Sequence, residues 1–181
     1  MNWWQDIFGA FKANDVAMVA YVPDAGHSAL IEACVADNEI RAVPLTTEEE
    51  GVALLAGAWL GGAKGVLLMQ SSGVGNCINM LSLAKTCRYP LLMLVTMRGE
   101  YGEFNPWQVP MGQATRATLE AMGVMVLDAW DAERVGETVA AAAKLAFNGQ
   151  AAVAVCLTQR LIGAKDFRAL AEPKAPAEPK P

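Results

Sequence analysis

The sequence predicts an α/β protein built on an open, doubly wound, mainly parallel six-stranded sheet with helices on both faces. Short apolar runs recur at 16–22, 40–44, 65–69, 91–96, 124–127 and 151–157, each the length of a buried strand. Segments of helical periodicity lie between them, and that alternation implies parallel strands joined by crossover helices. Turn residues mark the joints, as at Pro23-Asp24-Ala25-Gly26, Gly61-Gly62 and Asn148-Gly149.

Taken in order, residues 3–12 read as an amphipathic helix with Asn2 as cap and Trp4, Ile7, Phe8 and Phe11 on one face. A membrane-surface helix would share that pattern, but little basic charge accompanies it here. The first strand turns at 23–26 into a helix over 28–36, with His27 in the turn. The second strand leads straight to Thr46. Thr47 stands three before Glu50 ahead of an apolar periodic run, the pattern of a capping box. Glu48 and Glu49 then fall at the first two helical positions, where the helix dipole favours carboxylates by ~0.3–1 kcal/mol. Val52, Leu55, Ala56 and Trp59 share one face, and Gly51, Ala53, Gly57 and Ala58 allow close packing. Gly61-Gly62 ends this helix.

After the third strand, residues 70–76 (QSSGVGN) read as a tight strand-to-helix turn, followed by a helix over 77–86. The fourth strand opens into a loop over 97–113, too long for an ordinary connection and therefore expected to be functional or interfacial; Trp107 is its candidate anchor. A helix over 115–122, the fifth strand, a helix over 132–147 and the sixth strand complete the pattern. From about 171 the chain becomes EPKAPAEPKP, too polar and proline-rich to fold alone, so 169–181 is expected to be a disordered tail.

Composition bounds the partners. A chain of 181 residues suits one domain, and 54% hydrophobic against 18% charged residues is rich enough in apolar surface to expect burial against a partner. A net charge of -5 and a pI near 4.9 argue against nucleic acid or an anionic membrane. Cys34, Cys77, Cys87 and Cys156 have no C-x-x-C spacing and His27 is the single histidine, so neither a metal site nor a disulfide framework is expected. With no signal-like leader and no long apolar run, the chain is expected to be cytoplasmic.

Parallel sheets bind ligands at the carboxyl ends of their strands, which draws attention to Asp24, His27, Gly73, Gly75 and Arg98. Gly73 and Gly75 do not complete a dinucleotide fingerprint, because Ile78 stands where glycine is required, and no Gly-Lys-Ser/Thr follows for a P-loop. Ser72 cannot sit in a nucleophile elbow, since Gln70 replaces the needed glycine. His27 suits either proton transfer or a plain capping role. Arg98 suits either an anion clamp or a salt bridge with Glu100 or Glu103.

The stretches EEEGVALLAGA and LLMQSSGVGNCIN, with Val22-Pro23-Asp24, Arg98-Gly99 and Pro106-x-Gln108-x-Pro110-Met111-Gly112, resemble the pyrimidine-binding domain of thiamine-diphosphate-dependent 2-oxo acid decarboxylases. The nearest likenesses within that family are the separately encoded alpha chain of sulfopyruvate decarboxylases and the matching half of phosphonopyruvate decarboxylases. The resemblance spans about residues 17–128 and implies the thiamine-diphosphate-binding fold over 1–168. It further implies that one glutamate at the start of the 47–60 helix bonds a pyrimidine nitrogen of the cofactor. Counting nine back from Gly57 selects Glu48, with Glu49 the alternative one residue on. By the same resemblance Ser72, Gly73, Val74, Gly75 and Asn79 would line the cofactor, Asp24 and Arg98 the substrate, and His27 would assist catalysis. A Gly-Asp-Gly stretch, which holds the diphosphate through Mg2+ in this family, does not occur. The resemblance therefore implies half an active site, completed by a separately encoded beta subunit in a hetero-oligomer. A non-catalytic binding or regulatory module that kept the fold is the other reading.

Overall fold

The computed structural model describes residues 2–164; the expected tail at 169–181 lies outside the described residues. Strands β1 (Val16–Tyr21), β2 (Arg41–Pro44), β3 (Lys64–Gln70), β4 (Leu91–Thr96), β5 (Met125–Ala129) and β6 (Ala152–Leu157) form one sheet in the order β2-β1-β3-β4-β6-β5. Every pairing in it is parallel. Helices α1 (Trp3–Ala13), α2 (Ser28–Ala36) and α7 (Val135–Gly149) cover one face, while α3 (Glu48–Leu60), α4 (Ser71–Cys77), α5 (Leu81–Cys87) and α6 (Gln108–Ala121) cover the other. A single turn, α8 (Gln159–Ile162), follows β6.

Side chains alternate between the two layers as the two-residue period of a strand requires. Val66 and Leu68 of β3 belong to one core layer with Ile7, Phe11, Leu30 and Val139, whereas Leu67 and Met69 belong to the other with Val52, Leu55, Val74 and Leu119. All six residues of β4 are buried, as befits a strand covered on both faces. The apolar stripe of α1 is used inside the protein: Ile7 and Phe11 are buried beside α7, with Trp3 and Trp4 packed at the margin.

Three segments differ from expectation. Residues 71–77 are helical from the first residue after β3 rather than forming a turn, and the helix expected over 77–86 is split, because α4 ends at Cys77 and α5 begins at Leu81. Glycine inside a helix costs about 1 kcal/mol relative to alanine; at Gly73 the Glu48 side chain of α3 stands where a Cβ would be, whereas at Gly75 a Cβ would meet Met111 only at ordinary contact distance. The third difference is α6, which starts at Gln108 and shortens the connection after β4 to 97–107. Pro110 lies in the first turn of α6, where its missing N–H leaves no helical hydrogen bond unmade.

Candidate active site

β1 has β2 on one side and β3 on the other, so the chain reverses its winding direction between β1 and β3, and the carboxyl ends of these strands frame a crevice. Asp24 follows β1, Ser71 follows β3, Arg98 follows β4, and α3 begins just after β2.

The three glutamates that open α3 have three different environments. Glu50 Oε2 accepts the backbone N–H of Thr46 at 2.9 Å and of Thr47 at 3.5 Å, forming the expected capping box. Glu49 is half-buried and accepts the Thr47 hydroxyl; that bond, with its own backbone N–H, holds its carboxyl below the usual range. Glu48 is only 8% exposed and lies against Gly73 of α4, its Oε2 accepting Asn76 Nδ2 at 2.7 Å. The thiol of Cys77, buried and close to the charges of Glu48 and Glu49, is pushed up to about 12 and stays protonated.

A second group is centred on Asp24. Its Oδ2 accepts the Thr96 hydroxyl at 2.7 Å and the Gly26 N–H at 3.0 Å, and its Oδ1 accepts Gln70 Nε2 at 3.0 Å. Gln70 Oε1 accepts the Ser72 hydroxyl at 2.9 Å. Burial alone would raise the Asp24 pKa, but these bonds and the neighbouring His27 outweigh it and hold Asp24 below the usual carboxylate range. Asp24 and Arg98 line a cavity of roughly 230 Å3 with Gly26, Thr96, Ile162 and Gly163.

His27 stands in the expected turn, but its ring has no exposed surface. Nε2 lies 3.2 Å from the Leu94 carbonyl, which can only accept, so Nε2 carries the proton; Nδ1 has no partner among the described residues. Burial, set against the charge of Asp24, holds its pKa below the ordinary imidazole value. Of the two roles open to Arg98, the structure contains the ion pair: Nε and Nη2 each bind Glu103 at 2.6 Å. The pair is buried rather than superficial, at 10% and 3% side-chain exposure.

Ser72 also faces a groove of roughly 630 Å3, walled by Asn105, Pro106, Trp107, Gln108, Pro110 and Met111. Trp107 is 85% exposed, and Gln108 Oε1 is buried with no partner among the described residues. Of the other expected cofactor residues, Gly75 lies against Met111, Val74 is fully buried in the core, and Asn79 is exposed with its carbonyl accepting the Ser82 N–H at 3.1 Å.

Sequence reasoning did not single out Asn76, Gln70 or Thr96. Asn76 had a signal, since it lies three residues after Gly73 and a helix puts both on one face. Thr96 and Gln70 had none, because their meeting with Asp24 depends on strand order.

Residues 1–115 match the family described as thiamine pyrophosphate enzyme, N-terminal TPP binding domain, and the chain belongs to that family. Among its relatives is the sulfopyruvate decarboxylase subunit alpha of Methanococcus maripaludis, 34% identical over 158 residues that cover 87% of this chain and 95% of that one. The protein of the same name from Methanothermobacter thermautotrophicus is 34% identical over 83% of this chain and 92% of its own. A phosphonopyruvate decarboxylase of Streptomyces viridochromogenes is 37% identical over 64% of this chain and 30% of its own length. The fold is shared with a 2-oxoglutarate:ferredoxin oxidoreductase from Magnetococcus marinus, at a TM-score of 0.70 and 15% identity over 90% of this chain and 29% of that one. The family and the fold class expected from the sequence both stand.

Proposed function

We propose that this chain is the alpha subunit of a thiamine-diphosphate-dependent decarboxylase that converts a 2-oxo acid of the sulfopyruvate type to an aldehyde and carbon dioxide. In this reading it supplies the pyrimidine half of the site, and a separately encoded beta subunit supplies the diphosphate and Mg2+ half in a hetero-oligomer. Relatives over nearly their whole length carry the name of such a subunit, which favours this reading over a non-catalytic module. Four free cysteines, three of them buried, suit the cytoplasm.

The observation that carries the reading is the placement of Glu48. A carboxylate is held at the carboxyl edge of the sheet, almost out of water, against a backbone stripped of its side chain at Gly73 and steadied by Asn76. A flat heterocycle with a basic ring nitrogen suits this carboxylate, because glycine at 73 leaves room for the Glu48 side chain and Asn76 engages only one of its two oxygens. Thiamine diphosphate, when bound, supplies the carbon nucleophile and takes up the electron pair released as carbon dioxide leaves. Glu48 would donate and recover the proton of the pyrimidine nitrogen, the work of a general acid placed within hydrogen-bond reach. Asn76 Nδ2 holds one carboxylate oxygen and so orients the other. Glu49, bonded to Thr47 and partly solvated, is the weaker candidate for the same work.

Ser72 would border the cofactor at the 630 Å3 groove, which Gln108 also lines, with Gly75 against Met111 of its wall. Asp24 and Arg98 would receive the substrate at the smaller cavity, with Arg98 sharing its charge with Glu103. His27, out of reach of solvent and bonded to the Leu94 carbonyl, would act on the site by holding the turn that carries Asp24, whose carbonyl accepts the His27 backbone N–H at 3.2 Å. The test is a decarboxylation assay of the two assembled subunits on sulfopyruvate, phosphonopyruvate and pyruvate, with and without thiamine diphosphate and Mg2+. Cofactor-dependent release of carbon dioxide from a dianionic acid is the expected result. No turnover of any of the three acids by an assembled complex would overturn the reading.

A further inference from the structure

The connection between β4 and α6 has no strand or helix of its own over 97–107, so its backbone N–H groups must find partners outside any ladder. Two buried side chains supply four of them. Glu103 accepts the N–H of Gly99 at 3.2 Å and of Asn105 at 3.0 Å, in addition to Arg98 Nε and Nη2. Gln159, 1% exposed at the start of α8, accepts the N–H of Glu100 at 3.0 Å and of Tyr101 at 2.9 Å through its Oε1. Its Nε2 donates to Glu103 Oε2 at 3.0 Å and its backbone N–H to Glu100 Oε2 at 3.0 Å. Outside this knot the Arg160 guanidinium lies 4.4 Å from the centre of the Tyr101 ring.

The loop is thus fastened to the end of β6, a neighbour of β4 in the sheet, by these side chains beyond the one backbone bond from the Met97 N–H to the Leu157 carbonyl at 2.9 Å. Beyond the fastening it runs into Asn105, Pro106 and Trp107, the wall that faces Ser72 across the groove. We propose that Glu103 and Gln159 are positioning residues that hold this wall, and with it Gln108, in place for the cofactor before it binds. Neither residue lines the groove, so their effect passes through the loop. The proposal rests on the functional reading above for its kinetic arm; its structural arm stands apart from it.

Gln159→Leu removes the amide and leaves the Glu100 and Tyr101 N–H groups without acceptors. In the full chain, hydrogen exchange over 99–105 should quicken by about tenfold or more, as expected when a local fastening is lost, while β3 and β4 keep their protection. In the assembled enzyme, thiamine diphosphate binding, followed by tryptophan fluorescence without substrate, should weaken by about tenfold, and kcat at saturating cofactor should fall by less than about threefold. Gln159→Asn, which keeps both polar groups one methylene short, should show smaller changes in the same directions and carries the test should Gln159→Leu not fold. Unchanged exchange over 99–105 would overturn the fastening. Faster exchange with unaltered cofactor binding would overturn the positioning role. Should the wild-type complex bind no cofactor, the functional reading fails, while the exchange result still decides whether the fastening exists.

Discussion

The carboxylate of Glu48 occupies the space that any side chain on Gly73 would need: a Cβ built there would stand 2.5 Å from the carboxylate carbon. The first residue of α3 and the third of α4 are thereby locked together at the edge of the sheet. The glycine is required for close approach rather than for an unusual backbone angle.

Glu48→Gln keeps the volume and a hydrogen-bonding oxygen for Asn76 but cannot cycle a proton. Assembly with the beta subunit should survive while kcat falls by ~10²–10⁴, the range for loss of a positioned general acid. Glu49→Gln should cost less than about tenfold. The reverse order of the two variants would show that the register begins one residue later.

Gly73→Ala forces the Glu48 side chain or α4 to move. Overpacking of this kind costs ~1–3 kcal/mol of stability, measurable by urea denaturation, and thiamine diphosphate should bind the assembled variant poorly. If Gly73→Ala binds cofactor as the wild type does, the cradle is not where the ring lies.

Arg98→Met leaves Glu103 buried with no cation, a change that costs ~3–5 kcal/mol when a buried pair is broken. Arg98 first, helped by the N–H groups of Asn105 and Gly99 and by Gln159, holds the Glu103 carboxyl down at about 2 against an ordinary 4.5. A depressed carboxyl stabilises the fold above its unfolded value and loses that contribution as pH falls from 4.5 toward 2. Acid denaturation of the wild type should therefore steepen in that window, and Arg98→Met should flatten it. If Arg98 also reads a second substrate anion, kcat/KM should fall more for the dianionic acid than for pyruvate; an unchanged ratio would assign that anion to other residues.

His27 is the one histidine in the sequence, so a stability change near neutrality can be assigned to it. Burial lowers its pKa from 6.5, outweighing the charge of Asp24 and the backbone carbonyls of Leu94 and Met69 that favour the protonated ring. The unfolded chain takes up this proton first, so stability should be constant above 6.5 and fall as pH drops below it, until the folded value is reached. Urea midpoints between pH 7.5 and 5.5, about one unit either side of the ordinary imidazole value, should show this slope, and His27→Gln should remove it. An equal slope in the variant would mean that another group titrates.

Much of this protein is legible along the chain because its determinants are local. Strand runs and helix faces follow from side-chain period and the capping box from Thr47 and Glu50; each depends on residues within a few turns of one another. Other features depend on which strands become neighbours. Placing β1, β3 and β4 side by side brings Asp24, Gln70 and Thr96 into one hydrogen-bonded group. Insertion of β6 between β4 and β5 lets Gln159 reach a loop 59 residues earlier. Arg98 offered two roles as a sequence position, and its buried bond to Glu103 depends on the path of the loop. The glycines at 73 and 75 read as a turn, since isolated glycines disfavour helix; in the structure both lie in α4, and the close approach of Glu48 accounts for the one at 73. Local periodicity is set by neighbours in the chain and can be read from it, whereas contacts across the sheet arise only when the hydrophobic layers close and distant segments share one edge.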